Sequence, residues 1–346
     1  MTAKEDLSRY RRQMRFGPLG EEGQRRLLES RVLVCGCGAL GSVASELLVR
    51  AGVGFVRVVD RDFLEADNLH RQVLFDEQDV ADELPKAVAA ARRLSQINSE
   101  IQIEPVVADV SAANIASLAD DVQLIVDGTD NFETRYLIND YAVARSKPWV
   151  FGGCVGAEGQ VLAILPGETA CLSCLIPEPP PAEAQPTCET AGVIGPIVSV
   201  IASLQSAEAL KILSGNPDAV NGRLVTVDLW GNQIRSIGVA RQQDAAGCRT
   251  CGQRDFPWLE GRRGGAAVSL CGRNAVQLAP SSTDRISLVS LQEKLKPLGA
   301  VSGNEFLLRF EVDGYRITVF ADGRTIIGGT DDPAVARVVH ARYIGG

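Results

Sequence analysis

Apolar positions in the first half of the chain alternate between two periods. Arg31-Val-Leu-Val-Cys35 is a short apolar run and reads as a buried strand. From Ala39 to Ala51, Leu40, Val43, Ala44, Leu47 and Leu48 recur at helical spacing. Phe55 to Val59 repeats the strand pattern. A helix is predicted around Pro85 to Ile97, with proline suited to its first turn. Ile101 to Val107 and Val122 to Val126 read as strands, Phe132 to Ser146 as a helix, and Pro148 to Gly152 and Gln160 to Leu165 as strands. Strands and helices in alternation predict an α/β fold, a twisted and mostly parallel sheet with helices on both faces.

A proline-rich loop follows from Pro177 to Pro186. Beyond it come a helix from about Pro196 to Leu213 and strands near Arg223 to Leu229 and Asn232 to Val239. The uncharged stretch from Thr190 to Ala207 contains Pro196, Gln205 and three serines, so it reads as a buried helix with its lead-in and not as a membrane span. Glycine and arginine cluster at Gly261 to Gly265 and mark a boundary. The expected domains are 1–262 and 266–346. The second reads as strand, helix, three strands, helix, a small α+β domain.

Composition is that of a globular protein, 45% hydrophobic and 23% charged, with a formal net charge of −8. An acidic chain of this kind argues against a nucleic-acid partner. Met1 to Arg15 is polar and has no apolar signal core, which leaves the cytoplasm as the expected location. Nine cysteines in a reducing compartment point to metal binding or thiol chemistry before disulfides.

Gly36-Cys37-Gly38-Ala39-Leu40-Gly41 is a G-x-G-x-x-G between a strand and a helix. It is the Rossmann-like phosphate loop: glycine allows the tight turn and the close approach of phosphate, and the helix N-terminus offers free N–H groups. Asp60 ends the next strand, where a carboxylate grips ribose hydroxyls. On these residues alone, a nicotinamide- or flavin-dependent oxidoreductase is the first reading. The neighbours change it. Asn68-Leu-His-Arg-Gln72 follows Asp60, Lys86 opens the next helix, and Asp127-Gly-Thr-Asp-Asn131 ends a later strand on the same edge of the sheet. Arg71 and Lys86 suit a triphosphate, and Asp130 suits Mg²⁺. Attack on an α-phosphate needs such cations and metal; hydride transfer needs neither.

Cys171-Leu-Ser-Cys174 and Cys248-Arg-Thr-Cys251 each suit two corners of a tetrahedral Zn²⁺ site. Four thiolates leave no open coordination position, so a structural clasp is expected; a thioredoxin-like redox motif is the alternative for one pair. Cys188 stands apart, after the proline loop and before a helix, as a candidate nucleophile or an inert loop cysteine. Cys35, Cys37 and Cys154 sit in or beside strands and read as packing residues, and Cys271 is given no role.

Taken together, these motifs resemble the ThiF/MoeB/HesA family, relatives of the ubiquitin-activating enzymes. The resemblance spans roughly residues 7–252. It includes Arg9-Tyr-Arg-Arg-Gln13, the glycine loop, Asp60, Asn68 to Gln72, Pro85-Lys86, Thr129-Asp-Asn131, both C-x-x-C pairs and Cys188-Glu-Thr-Ala-Gly192. Ala39 stands where the family often has glycine. The resemblance implies an ATP-dependent adenylyltransferase that activates the C-terminal glycine of a ubiquitin-like sulfur-carrier protein. ATP would bind at Gly36, Gly38, Gly41, Asp60, Asn68, Arg71 and Lys86, with Asp130 holding Mg²⁺. Arg12 would reach the phosphates of a partner subunit, which implies a homodimer. The second-step cysteine of the family maps to Cys188. Nothing resembling a rhodanese domain follows, so a sulfur donor is expected to be a separate protein. The end, Tyr343-Ile-Gly-Gly346, is like the Gly-Gly tail of the carriers, but a helix from Asp332 to Tyr343 favours an appended domain over a fused carrier. A non-catalytic scaffold of the same fold is the remaining reading.

Overall fold

The computed structural model describes residues 7–180, 188–241, 247–263, 267–270, 274–278 and 286–345, with backbone alone for 188–189 and 267–270. The chain divides into two compact units between Arg263 and Gly264.

The first unit is built on eight strands: β1 Arg31–Cys35, β2 Phe55–Val59, β3 Gln102–Val106, β4 Leu124–Asp127, β5 Trp149–Val155, β6 Glu158–Ile164, β7 Leu224–Asp228 and β8 Gln233–Ile237. Their order is β3-β2-β1-β4-β5-β6-β7-β8. The pairs from β3 through β5 are parallel; β5 to β8 continue as antiparallel neighbours. The central strands β1, β2 and β4 are almost wholly buried, as their unbroken apolar runs require when helices cover both faces. Helices Ala39–Ala51, Lys86–Ile97 and Gly195–Leu213 pack together on one side. On the other, Ile115, Leu118, Leu137, Ile138 and Tyr141 from two further helices join Leu33, Val59, Ile125 and Trp149 in one core that also takes in Cys171, Cys174 and Cys248.

Helix Gly195–Leu213 is apolar and long enough to cross a membrane on length and composition, and half of it is buried within the chain. It lies on β5, β6 and helix Ala39–Ala51. Gln205, fully buried in its middle, donates to Asp127 O at 2.7 Å and ties the helix to the sheet.

The second unit is a six-stranded antiparallel sheet: β9 Ala267–Leu270, β10 Ala275–Leu278, β11 Ala300–Gly303, β12 Leu307–Val312, β13 Tyr315–Phe320 and β14 Thr325–Gly328. The order is β11-β12-β13-β14-β10-β9. Helices Leu288–Leu295 and Pro333–Tyr343 share a core with it through Leu291, Leu295, Phe310, Ile317, Val319, Ile327, Ala336 and Val339. Tyr343 packs on Phe310, ring centres 5.6 Å apart, which docks the second helix along its length. Two strands therefore precede the first helix and four follow it, against one and three expected. The strand β11 is Ala-Val-Ser-Gly and mostly exposed; it has no alternation to read, and its pairing with β12 alone makes it a strand.

Candidate active site

The chain runs outward from β1 through β2 to β3, then returns to β4 on the opposite side of β1. Ligands of open α/β sheets bind in the crevice at such a reversal, beyond the carboxyl ends of the strands. Here the ends of β2, β1 and β4 lie side by side. Cys35 is paired with both Val59 and Asp127. Gly36 N–H donates to Val59 O, and Gly128 N–H donates to Cys35 O, each at 2.7 Å.

Two glycines of the loop serve this close packing. Gly36 has φ +84°, and a methyl there would come within 2.8 Å of Gly128 O. A methyl on Gly41 would come within 1.9 Å of Gly36 O. Gly38 differs. A methyl on it would meet nothing nearer than the Gln72 amide nitrogen, at 4.0 Å. Gly38 is also the N-cap of helix Ala39–Ala51. Its open face lies beside the free N–H groups of a helix start, an arrangement that could take a phosphate.

Of the charged residues of the sequence reading, Asp60 meets this loop directly, and Lys86 and Asp130 lie close enough to act on one another beside it. Asp60 is 8% exposed; one carboxylate oxygen accepts from Cys37 N–H and the other from Asp62 N–H, each at 2.6 Å. Burial pushes the Asp60 carboxyl up, against the pull of Lys86. Lys86 is 5% exposed, with Nζ 3.3 Å from Asp62 Oδ2. Burial alone would lower its ammonium, but Asp62, Asp60 and Asp130 hold it above the usual lysine value. Asn68 is buried and closes a capping box with Glu65. Arg71 donates from Nη1 to Asp67 O at 2.6 Å. Asp130 is exposed at the end of β4, close enough to act on Lys86 and Arg61.

Several residues that shape the site were not singled out from the sequence. Asp62 anchors Lys86; its position two residues after Asp60 is the signal that would have found it. Asp127, fully buried, accepts from the Thr129 N–H at 2.9 Å, the Thr129 hydroxyl and Arg135 Nε at 3.1 Å. Arg135 also donates from Nη2 to Thr129 O and to Gly152 O at 3.0 Å. Together they fix the turn that presents Asp130. Arg135 lies eight residues from Asp127 on the following helix, and no motif announces the pairing.

The four cysteines of the two C-x-x-C pairs meet, with all sulfurs within 4.8 Å of one another. Sulfur–sulfur separations of 3.8 Å for Cys171–Cys174, 3.5 Å for Cys171–Cys248 and 3.4 Å for Cys174–Cys251 suit a tetrahedral ion with metal–sulfur bonds of about 2.3 Å. The group could hold a metal ion. Asn139 and Asp140 brace both halves: Leu172 N–H donates to Asn139 Oδ1, and the Thr250 hydroxyl and Trp258 N–H donate to Asp140. Cys35 and Cys37 are fully buried, and burial pushes both thiols up, in keeping with packing roles. Cys271 lies outside the described residues.

Arg12 and Cys188 are not brought to the loop in the same way. Tyr10 packs against Gly52, and Gln13 donates to Ala51 O at 2.8 Å, which fastens the short helix Arg11–Met14 to the C-terminal end of helix Ala39–Ala51. The glycine loop is at the other end of that helix, thirteen residues and about 20 Å away. Arg12 is exposed and cannot span that length to the loop of its own chain. Cys188 opens the four-residue helix Cys188–Ala191, and its side chain is outside the described residues. The chain after it is held to the β5–β6 turn by Gly156 N–H to Gly192 O and Ile194 N–H to Gly156 O. It then reaches Gly195, where a methyl would be 3.0 Å from His70 O. The segment thus leads to the edge of the nucleotide crevice.

Known proteins with the same arrangement are numerous. The profile of the ThiF family matches residues 10–250. The sulfur carrier protein ThiS adenylyltransferase of Bacillus subtilis is 43% identical over 338 residues, covering 97% of this chain and 99% of that one. The sulfur carrier protein adenylyltransferase of Thermus thermophilus is 42% identical over 254 residues, 72% of this chain and 92% of that one. A crystal structure of E. coli MccB with ATP has the same fold, with a TM-score of 0.57 and 25% identity over 66% of this chain and 69% of that one. With a family match that takes in all eight strands of the large sheet and a relative 43% identical over 97% of its length, this chain belongs to the ThiF family.

Proposed function

We propose that this chain is an ATP-dependent adenylyltransferase that activates the C-terminal glycine of a ubiquitin-like, ThiS-type sulfur-carrier protein. The observation that carries the reading is the grouping of Lys86, Asp60 and Asp130 beside a glycine loop with an open face at Gly38. Similarity to a ThiS adenylyltransferase over 97% of the chain, second unit included, supports the carrier class. In the reaction a carboxylate oxygen of the carrier's glycine attacks the α-phosphorus. The bond to the bridging oxygen breaks and pyrophosphate leaves with its electron pair. Lys86 and Arg71 neutralise the phosphates, Asp60 holds the ribose, and Mg²⁺ at Asp130 would take up charge on the leaving group. A sulfur nucleophile then attacks the acyl carbon and AMP departs. Neither a nicotinamide enzyme nor a bare scaffold needs this cation and carboxylate set. The test is exchange of labelled pyrophosphate into ATP, dependent on a carrier ending in Gly-Gly. No exchange with any such carrier, together with tight NAD binding, would sink the reading.

The first unit carries this chemistry, and the second is proposed as a docking accessory to it. Zinc is the proposed occupant of the four-cysteine site. No disulfide joins the cysteines whose side chains are described, which suits the proposed cytoplasmic location.

The working form is a homodimer. The position of Arg12, a helix-length from its own loop, favours delivery to a partner's site. Helix Gly195–Leu213 agrees: Val200 and Leu204 are only partly covered and Pro196 and Ala207 are exposed along an otherwise apolar helix, a face that a second copy would bury. Mixing Arg12→Ala and Asp130→Ala chains is expected to restore part of the exchange activity that each lacks alone, because one site of the mixed dimer is intact. A monomer by light scattering at micromolar concentration would rule this out.

Cys188 is assigned to the second step, with a separate sulfur-donor protein. Adenylation needs no thiol, so Cys188→Ser should exchange pyrophosphate normally and lose thiocarboxylate formation, since a hydroxyl carries no persulfide. Mass spectrometry of the carrier after incubation with ATP and donor reads the result. Undiminished thiocarboxylate would make Cys188 a bystander.

A further inference from the structure

Helix Gly195–Leu213 sends one amide into the sheet at the place where two parallel strands part. The pairing of β4 with β5 ends at Val126 and Val150. Gln205 enters there, fully buried. Its Nε2 donates to Asp127 O at 2.7 Å and to Val150 O at 3.3 Å, one carbonyl on each strand. The amide nitrogen must face these carbonyls, because the amide oxygen cannot donate. Oε1 is thereby left buried with no partner among the described residues, which costs free energy. The strand β5 makes room for the wedge with a glycine: a methyl on Gly152 would lie 2.4 Å from the Gln205 amide. From the other face of the sheet Arg135 donates to Asp127 Oδ2 at 3.1 Å and to Gly152 O at 3.0 Å. The parting of β4 and β5 is thus filled from both faces, and the turn to Asp130 begins at it. The first residue of that turn, Gly128, lies against the glycine loop, where a methyl would come within 2.5 Å of Gly36 O.

We propose that Gln205 is a positioning residue for adenylation: its amide sets how β4 leaves the sheet and so where the Asp130 carboxylate stands. This rests on the adenylyltransferase reading, with Mg²⁺ at Asp130, and adds to it the part of the fold that aims that carboxylate. Asp130 is exposed and its side chain has no hydrogen bond among the described residues, so the backbone beneath it sets its place. Arg135 holds the turn through the Asp127 carboxylate and the Thr129 carbonyl, and Gln205 holds its root through the Asp127 carbonyl. An apolar side chain of the same length would fill the space with no orphaned acceptor, but it would release both strand ends. A shift of about 1 Å in a group that aligns reacting atoms costs on the order of a hundredfold in rate.

A residue that only holds the fold lowers the melting temperature when replaced and leaves the turnover of the folded molecules alone. Gln205→Met keeps the length and removes the donor. Its kcat in carrier-dependent pyrophosphate exchange, per folded molecule, is expected to fall on the order of a hundredfold, with KM for ATP and for carrier within about twofold of native. The melting shift that ATP produces without Mg²⁺ should persist, and the further shift on adding Mg²⁺ should shrink. Gln205→Glu, whose protonated acid keeps one donor for Asp127 O, should fall between native and Gln205→Met in both readouts, and it carries the same comparison where Gln205→Met does not fold. A variant that melts lower but keeps native kcat per folded molecule and the native Mg²⁺-dependent shift would make Gln205 a packing residue and overturn the inference alone. Native protein with neither exchange nor an ATP-induced shift would overturn the adenylyltransferase reading and this inference with it.

Discussion

Asp130→Ala is expected to lose carrier-dependent pyrophosphate exchange by roughly a thousandfold or more while keeping its melting temperature. The two halves of the expectation come from one geometry. Asp130 is exposed at the tip of the turn after β4, and no hydrogen bond ties its side chain to the described residues. Its removal leaves no cavity and no orphaned partner, so folding has little to lose. The turn beneath it is fixed by Asp127 and Arg135, whose buried pair grips Thr129 and Gly152 and stays in place in the variant. What disappears is the carboxylate that would hold Mg²⁺ where charge develops on leaving pyrophosphate. Arg135→Ala makes the contrast: it strands a buried carboxylate and should impair folding and exchange together. Exchange in Asp130→Ala within tenfold of the native rate would show that this carboxylate does not position the metal.

Freshly purified protein is expected to carry one zinc per chain, and Cys174→Ser to cost about 4–5 kcal/mol of stability, a fall of roughly 10 °C or more in melting temperature. Cys171 and Cys174 arrive from the chain after β6, Cys248 and Cys251 from 77 residues farther on. They close a buried group against helix Phe132–Arg145, in the core that underlies the sheet. A closed site of four thiolates binds its ion only in the folded chain, so binding energy is folding energy. The hydrogen bonds of Asn139 and Asp140 to both halves would keep part of the clasp without metal, which limits the loss to a few kcal/mol in place of full unfolding. Exchange per folded molecule should change little, because the clasp lies across the sheet from the helix that starts at Gly38. Metal analysis that finds no zinc in unchelated protein, or a serine variant that melts like the native chain, would contradict the assignment.

The sequence by itself determined the sheet and the glycine loop of the first unit. The short apolar runs Arg31 to Cys35 and Val122 to Val126 fit buried parallel strands, and Gly36, Gly38 and Gly41 between a strand and a helix favour a phosphate-loop turn. These signals are local, so they survive reading one window at a time. The two C-x-x-C pairs were legible as half-sites for the same reason. Which residues meet across the chain was decided only by tertiary structure. Strand order set Cys35 between Val59 and Asp127 and thereby placed Asp60, Lys86 and Asp130 around one crevice. Packing turned Gly36 and Gly41 into contacts of backbone on backbone and left Gly38 alone open. It paired Asp62 with Lys86, and it paired Asp127 with Arg135, two ordinary charged residues that no spacing rule distinguishes from surface charges. It fastened the short helix that carries Arg12 to the far end of helix Ala39–Ala51 from the glycine loop, and it buried Gln72 Oε1 without a partner among the described residues. Burial and pairing are properties of the folded whole: a residue's desolvation is set by what packs on it from elsewhere in the chain, and the window around it carries no record of that.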